Sequence, residues 1–355
     1  MVKMAIHLSC AIKDTLRSNS FFSELRWEYN AIEAFLECPE ISQIATTIPQ
    51  WESPLIMPTK YRNDFPAKEQ KESILLIQGP WEYNHNINPK GWIFNCYAAG
   101  LDTEGSHKDF LHYLKTDYSG KYIFTTGWVG TDSKFDHLAA MVGEENVEVL
   151  PVPAVPNIIY SADHFNAKII LWPQKGITSD MQYHPEESKR ILDWVASKLE
   201  QSPDLEFRAF SGLNGSIDSI AKEFFSFSMT EKLKSFANRI TLYPLIDWSK
   251  VLEIYSQTKI IVSLCNSGGS ALECGMYGIP FVGTSANCNP IKQANKFIFA
   301  EWASSDYLTL LEKLFSDHDC YRMIGDSYRD FTAKHYTYSA FCDKLLKILA
   351  KRNLL

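Results

Sequence analysis

The run Asn266-Ser267-Gly268-Gly269-Ser270-Ala271-Leu272-Glu273 sets a glutamate four residues beyond a glycine pair. A glycine turn that opens a helix after a parallel strand aims free backbone N–H groups and the positive end of the helix dipole at one spot. Glycine also lets an anion approach the backbone closely. The anion such a place suits is a phosphate. Glu273, one turn inside the helix, would lie near it and accept hydrogen bonds from ribose hydroxyls. On residue types alone the same segment also reads as a tight strand–helix–strand corner with Glu273 in solvent.

The neighbouring elements are those such a site needs. Ile260 to Leu264 is short, β-branched and free of charge, the pattern of a strand buried on both faces of a parallel sheet. Ser270 to Tyr277 places Ala271, Leu272 and Met276 at helical spacing and stops at Gly278 and Pro280, after which Phe281 and Val282 begin a further strand. Upstream, AKIILW, EFRAFSG and RITLYPLI read as strands separated by helices at Glu186 to Leu199 and Glu231 to Ala237. WSKVLEIYSQT is the helix that leads into the glycine segment.

In the first half, Ala5 to Ser9, Ser73 to Ile77, Trp92 to Tyr97 and Lys121 to Thr126 read as strands, and Phe21 to Leu36 as an amphipathic helix. KFDHLAAMVG is a helix with a glycine stop. VEVLPVPAVP is a strand running into Pro151, Pro153 and Pro156, which stiffen the chain and suit an interdomain crossing. Strand and helix alternate on both sides of that crossing, which predicts two doubly wound parallel sheets with ligands beyond the carboxyl ends of their strands. From about Asp306 the pattern is helical. Its last run sets Phe341, Leu345, Leu346, Ile348 and Leu349 against Lys344, Lys347, Lys351 and Arg352, a stripe that either packs back on the first domain or lies on a membrane.

Composition narrows the classes. At 355 residues, with 45% hydrophobic and 13% aromatic content, the chain can fill two cores. A net charge of -7 gives no global positive field, so no nucleic acid partner is expected. Eight cysteines without a C-x-x-C spacing read as reduced thiols, neither a disulfide frame nor a zinc site. The opening MVKMAIHLSCAIKD holds too short an apolar run for a signal peptide, and nowhere do 18 apolar residues run together, so a cytoplasmic location is expected, with membrane association through the basic tail as an addition.

The passage from Arg239 to Gly283, RITLYPLIDWSKVLEIYSQTKIIVSLCNSGGSALECGMYGIPFVG, resembles the carboxyl-terminal core of GT-B-fold glycosyltransferases, the family of glycogen and sucrose synthases and bacterial lipopolysaccharide transferases. KYIFTTGWVGTDSKFDHLAAMVGEENVEVLPVP is similar to that family's last amino-terminal strand and helix, and AKIILWPQKG to the strand and basic loop that open its nucleotide-binding domain. The resemblance implies an α/β chain of two Rossmann-like domains facing a cleft. Residues 1–155 would form the acceptor domain, 156–335 the nucleotide-sugar domain, and 336–355 a helix crossing back to the first.

The implied activity is transfer of a sugar from a nucleotide sugar to a saccharide or lipid-linked acceptor. Glu273 would bind the donor's ribose, Gly268, Gly269 and Ser270 its diphosphate, and Asn266 a sugar hydroxyl. Lys175 would offset the charge of the leaving diphosphate. No Asp-x-Asp motif stands on a strand end, so neither metal nor cofactor is expected. Glu82 and His85, after the SILLI strand, stand where a general base or a sugar-positioning group could be, with Asp132 and His137 after the TTG turn as similar candidates and Trp81, Trp92 and Trp128 as stacking platforms for sugar or core residues. Two departures are visible. The loop after AKIILW has one basic residue where the family usually has two, and Cys265 occupies the place, eight residues before Glu273, where retaining members have a second glutamate.

Two other readings fit the same residues. SGGSALE resembles the turn of the non-hydrolysing nucleotide-sugar 2-epimerases, whose Gly-Thr-Arg-Pro-Glu loop is replaced here by SCAIKDTLRSN. A binding protein that kept the fold without turnover is the third.

Overall fold

A computed structural model describes residues 2–7, 26–46, 61–62, 71–77, 89–95, 122–126, 139–151, 153, 160, 163–173, 177, 185–210, 231–243, 246, 248–262, 268–281 and 306–355. Along the chain run β1 (Val2–His7), α1 (Arg26–Glu37), β2 (Ile41–Thr46), β3 (Tyr61–Arg62), β4 (Ser73–Ile77), β5 (Gly91–Asn95), β6 (Tyr122–Thr126) and β7 (Val147–Val149). Then come β8 (Ile169–Trp172), α2 (Pro185–Gln201), β9 (Glu206–Phe210), α3 (Glu231–Lys234), β10 (Ile240–Tyr243), α4 (Trp248–Ser256), β11 (Thr258–Ile261) and α5 (Gly268–Tyr277). Three helices close the chain, α6 (Asp306–Ser316), α7 (His318–His335) and α8 (Tyr338–Lys351).

The strands form two sheets, ordered β3-β2-β1-β4-β5-β6-β7 and β10-β9-β8-β11, and each described pairing is parallel. The chain divides into two compact units accordingly. One is Met1–Asn157 together with His335–Leu355, the other Ile158–Lys334.

The first sheet is buried as its apolar runs require: Ile74, Leu75 and Leu76 of β4 and Ile93 and Phe94 of β5 are at most 1% exposed. Trp92 belongs to this core. It is 1% exposed, with its ring against Phe94, so it cannot serve as the sugar platform its type suggested. β2 and β3 extend the sheet beyond β1 with segments that the periodicity of the sequence does not mark as strands. β1 begins at Val2, three residues before its apolar signal.

α8 packs on α1. Phe341 meets Phe35 at 5.7 Å between ring centroids, Tyr338 donates its hydroxyl to Asn30 Oδ1 at 3.0 Å, and Cys342 donates its thiol to the Ala34 carbonyl at 3.0 Å. Lys351 and Arg352 both donate to Glu148 Oε1, at 2.7 and 3.1 Å. The apolar stripe of the last helix is thus spent on the core of its own unit, and two of its cations on Glu148. Of the two readings of that stripe, packing back on the first domain is the one these contacts bear out.

The second unit repeats the design. All four residues of β8 are at most 1% exposed, and α2 turns Ile191, Leu192, Val195 and Leu199 inward while its acidic first turn lies at the surface. Phe281 bridges in parallel to Ile261, so the chain after α5 returns to the sheet next to β11.

Candidate functional site

In the second sheet the chain proceeds from β8 to β9 and β10 on one side, and β11 is added on the other. The strand order therefore reverses between β8 and β11. Crossovers diverging from such a point leave a crevice outside the carboxyl ends of the two strands, the usual ligand position in open parallel sheets. α5 follows β11 at that end, and its first three residues are Gly268, Gly269 and Ser270. The first four N–H groups of a helix have no acceptor within it, so these three bring together donors that the helix itself does not satisfy, at its positive end. Asn266 and Cys265, just before them, lie outside the described residues. So does Lys175, which follows Trp172 past the carboxyl end of β8.

The other end of α5 is closed by a Schellman turn. Gly278 takes φ 68°, Ile279 N–H donates to Cys274 O and Gly278 N–H to Gly275 O, both at 3.0 Å. The Met276 carbonyl accepts from Tyr160 N–H at 3.0 Å, and the Tyr160 ring stacks on Tyr277 with centroids 4.5 Å apart and planes 1° from parallel. Tyr160 is thus fastened to the carboxyl end of α5 by both its backbone and its ring.

Glu273 sits in the second turn of α5 and is 1% exposed. The sequence suggested a carboxylate near an exposed helix start; the structure buries it. One turn later, burial first and then the charges of Tyr160 and Glu273 push the Tyr277 hydroxyl well above its usual range, and it donates to the Leu252 carbonyl at 3.2 Å as a neutral phenol. His164 meets the Tyr277 ring edge-on at 5.7 Å, and burial holds its imidazole below the ordinary value, so it is neutral at neutral pH.

The first sheet has its own reversal, between β1 and β4. Glu82 and His85 follow β4 in sequence but lie outside the described residues, as do Trp81, Trp128, Asp132 and His137. The reversal picks out a residue that sequence reasoning passed over. His7 is the last residue of β1 and pairs with Ile77 at the carboxyl edge of the sheet. In the sequence it is one polar residue in a short strand, and only the strand order gives its position meaning.

Among the described residues no three His, Cys, Asp or Glu side chains gather as metal ligands, and no helix is long and apolar enough to cross a membrane.

No protein-family model matches the sequence, and no curated protein does. Solved structures share its fold. HepE of Anabaena, in complex with UDP and glucose, superposes with a TM-score of 0.62 at 8% identity, covering 99% of this chain and 100% of that one. A glycosyltransferase from Rickettsia africae gives 0.61 at 14% identity over 99% and 98% of the two chains. TarM of S. aureus, in complex with Fondaparinux, alpha-GlcNAc-glycerol and UDP, gives 0.54 at 14% identity over 79% of this chain, which spans 56% of TarM. The likeness is one of fold: this chain is built as the GT-B glycosyltransferases are.

Proposed function

We propose that this protein is a glycosyltransferase that moves a sugar from a nucleoside-diphosphate sugar to a saccharide or lipid-linked acceptor. One observation carries the proposal: α5 opens with Gly268, Gly269 and Ser270 at the strand-order reversal of a parallel sheet and carries Glu273 one turn further on. The diphosphate binds the free N–H groups of the helix start and the ribose hydroxyls bind Glu273. HepE and TarM hold UDP, which supports a uridine donor.

The leaving diphosphate needs stabilisation as charge develops on it. In this reading the α5 N-terminus and Lys175 supply it without a metal ion or cofactor, and Asn266 orients the sugar. Glu82 or His85 of the first unit takes the acceptor's proton. The cysteine pattern supports work in the reducing cytoplasm.

A thermal-shift panel of UDP, GDP, ADP, TDP and CMP sugars tests the class and names the donor. The expected result is a raised melting temperature with one nucleotide and consumption of its sugar only when acceptor is present. Sugar interconversion without acceptor would point to an epimerase. Binding without turnover across a broad acceptor screen would point to a binding protein, and no shift with any nucleotide would overturn the donor site.

A further inference from the structure

α5 has two faces with different tasks. At helical spacing Gly269, Glu273 and Tyr277 follow one side, and Ala271, Gly275 and Gly278 the other. The second side rests on α7 at a distance only glycine permits. A Cβ on Gly275 would overlap Thr332 Oγ1 and stand 3.3 Å from the Tyr328 carbonyl oxygen. A Cβ on Gly278 would overlap Arg329 Nη2, and one on Gly325 of α7 would overlap the Gly278 carbonyl oxygen.

The α7 residues involved recur on one face: Tyr321, Gly325, Tyr328 and Thr332. At the near end of that face Tyr321 donates its hydroxyl to the Lys259 carbonyl of β11 at 2.6 Å. The same helix is therefore registered on β11 at one end and on α5 at the other, and these two elements flank the candidate site. Thr332 is 0% exposed, and its Oγ1 makes no hydrogen bond among the described residues. Toward α5, Thr332 contributes shape: its side chain fills the notch above Gly275, where a Cβ would meet both its Oγ1 and its Cβ.

We infer that α7 sets the depth of α5 in the nucleotide site, with Thr332 a positioning residue that acts through Gly275. Any side chain at Gly275 lifts α5 off α7 toward its opposite face, and Gly268 to Ser270 and Glu273 move together. A shift of about 1 Å in such a constellation is enough to cost about 10²-fold in function. The inference rests on the donor site proposed above and adds what holds that site in place.

Calorimetric titration with UDP, paired with donor and acceptor KM values, tests it on five chains: the parent, Gly275→Ala, Thr332→Gly, the pair of these together, and Thr332→Val. Gly275→Ala should weaken UDP about tenfold or more and raise the donor KM while leaving the acceptor KM unchanged. The double variant should return to within about threefold of Thr332→Gly, because removing the Thr332 side chain reopens the notch. Thr332→Val keeps the shape without the hydroxyl and should bind as the parent does. If Gly275→Ala does not fold, the double variant and Thr332→Val decide alone. A parent that binds no nucleotide ends the donor reading, and this inference with it. A parent that binds UDP, with Gly275→Ala equally tight, a folded double variant that stays weak, or Thr332→Val impaired, overturns the positioning role alone.

Discussion

Lys198 and Glu312 form an unequal pair: Lys198 Nζ donates to Glu312 Oε1 at 2.7 Å, with the lysine side chain 5% exposed and the glutamate side chain 48%. The lysine also lies over the Phe315 ring, 5.2 Å from its centroid, and Glu312 Oε2 accepts from Trp194 Nε1 at 2.9 Å. Removing Glu312 leaves a buried cation without that counter-charge and with the neutral Gln201 Oε1, at 3.2 Å, as a hydrogen-bond acceptor, whereas removing the charge of Lys198 leaves a half-solvated carboxylate. Glu312→Ala should therefore cost about 2–3 kcal/mol of unfolding free energy and Lys198→Met less than about 1 kcal/mol. Urea unfolding midpoints check this, and equal losses would show that the burial asymmetry has no energetic weight.

His164 gives a pH signature. Burial, aided by the charge of Arg329, lowers its folded pKa against the opposing effects of the Thr258 backbone and Asp163. The native state then resists a proton that the unfolded chain accepts near the ordinary value of about 6.5. The stability this neutral histidine allows is full above that pH and falls as pH drops through it toward the folded value, by up to about 1.4 kcal/mol per pH unit. Between about pH 7 and pH 5 the parent should lose more unfolding free energy than His164→Gln. Parallel pH profiles would contradict the assignment.

The parallel sheets were legible where strands are uniformly apolar, as in SILLI and AKIILW. The α5 segment was legible because Gly278 and Pro280 mark its end. β2 was not: in ISQIAT, Ser42 and Gln43 stand between Ile41 and Ile44, so neither strand alternation nor an unbroken apolar run is visible. The start of β11 was hidden for a related reason. Thr258 and Lys259 are buried but polar, and tertiary bonds satisfy them: Thr258 donates its hydroxyl to the Ile254 carbonyl at 2.8 Å and Lys259 its amine to the Phe165 carbonyl at 2.5 Å. The burial of Glu273 and the notch at Gly275 depend on what packs around α5, which a local pattern does not encode.

The last helix makes a stability prediction. Phe341 is 0% exposed against Phe35, whereas Lys347 faces solvent. Phe341→Ala should cost about 3–5 kcal/mol and Lys347→Ala within about 0.5 kcal/mol of nothing. Thermal or urea unfolding reads both. A mild Phe341→Ala would mean that α8 is not part of the first unit's core.

The charge on the leaving diphosphate makes a catalytic one. If the α5 N-terminus and Lys175 carry that charge, turnover should persist in excess chelator, and Lys175→Ala should lower kcat by about 10²-fold or more with donor affinity disturbed much less. Loss of activity in EDTA with recovery on adding manganese or magnesium would assign the task to a metal ion.

Glu273 is the residue assigned to the donor's ribose, and because it is 1% exposed the fitting probe keeps its shape. Calorimetric titration of UDP into the parent and Glu273→Gln, with both folds checked by circular dichroism, isolates the charge of the carboxylate from its volume. A charged hydrogen bond contributes about 1.5–3 kcal/mol, so the parent should bind UDP and Glu273→Gln should bind it about tenfold to a hundredfold more weakly. Affinity within about twofold of the parent would show that Glu273 is not the residue that holds the ribose.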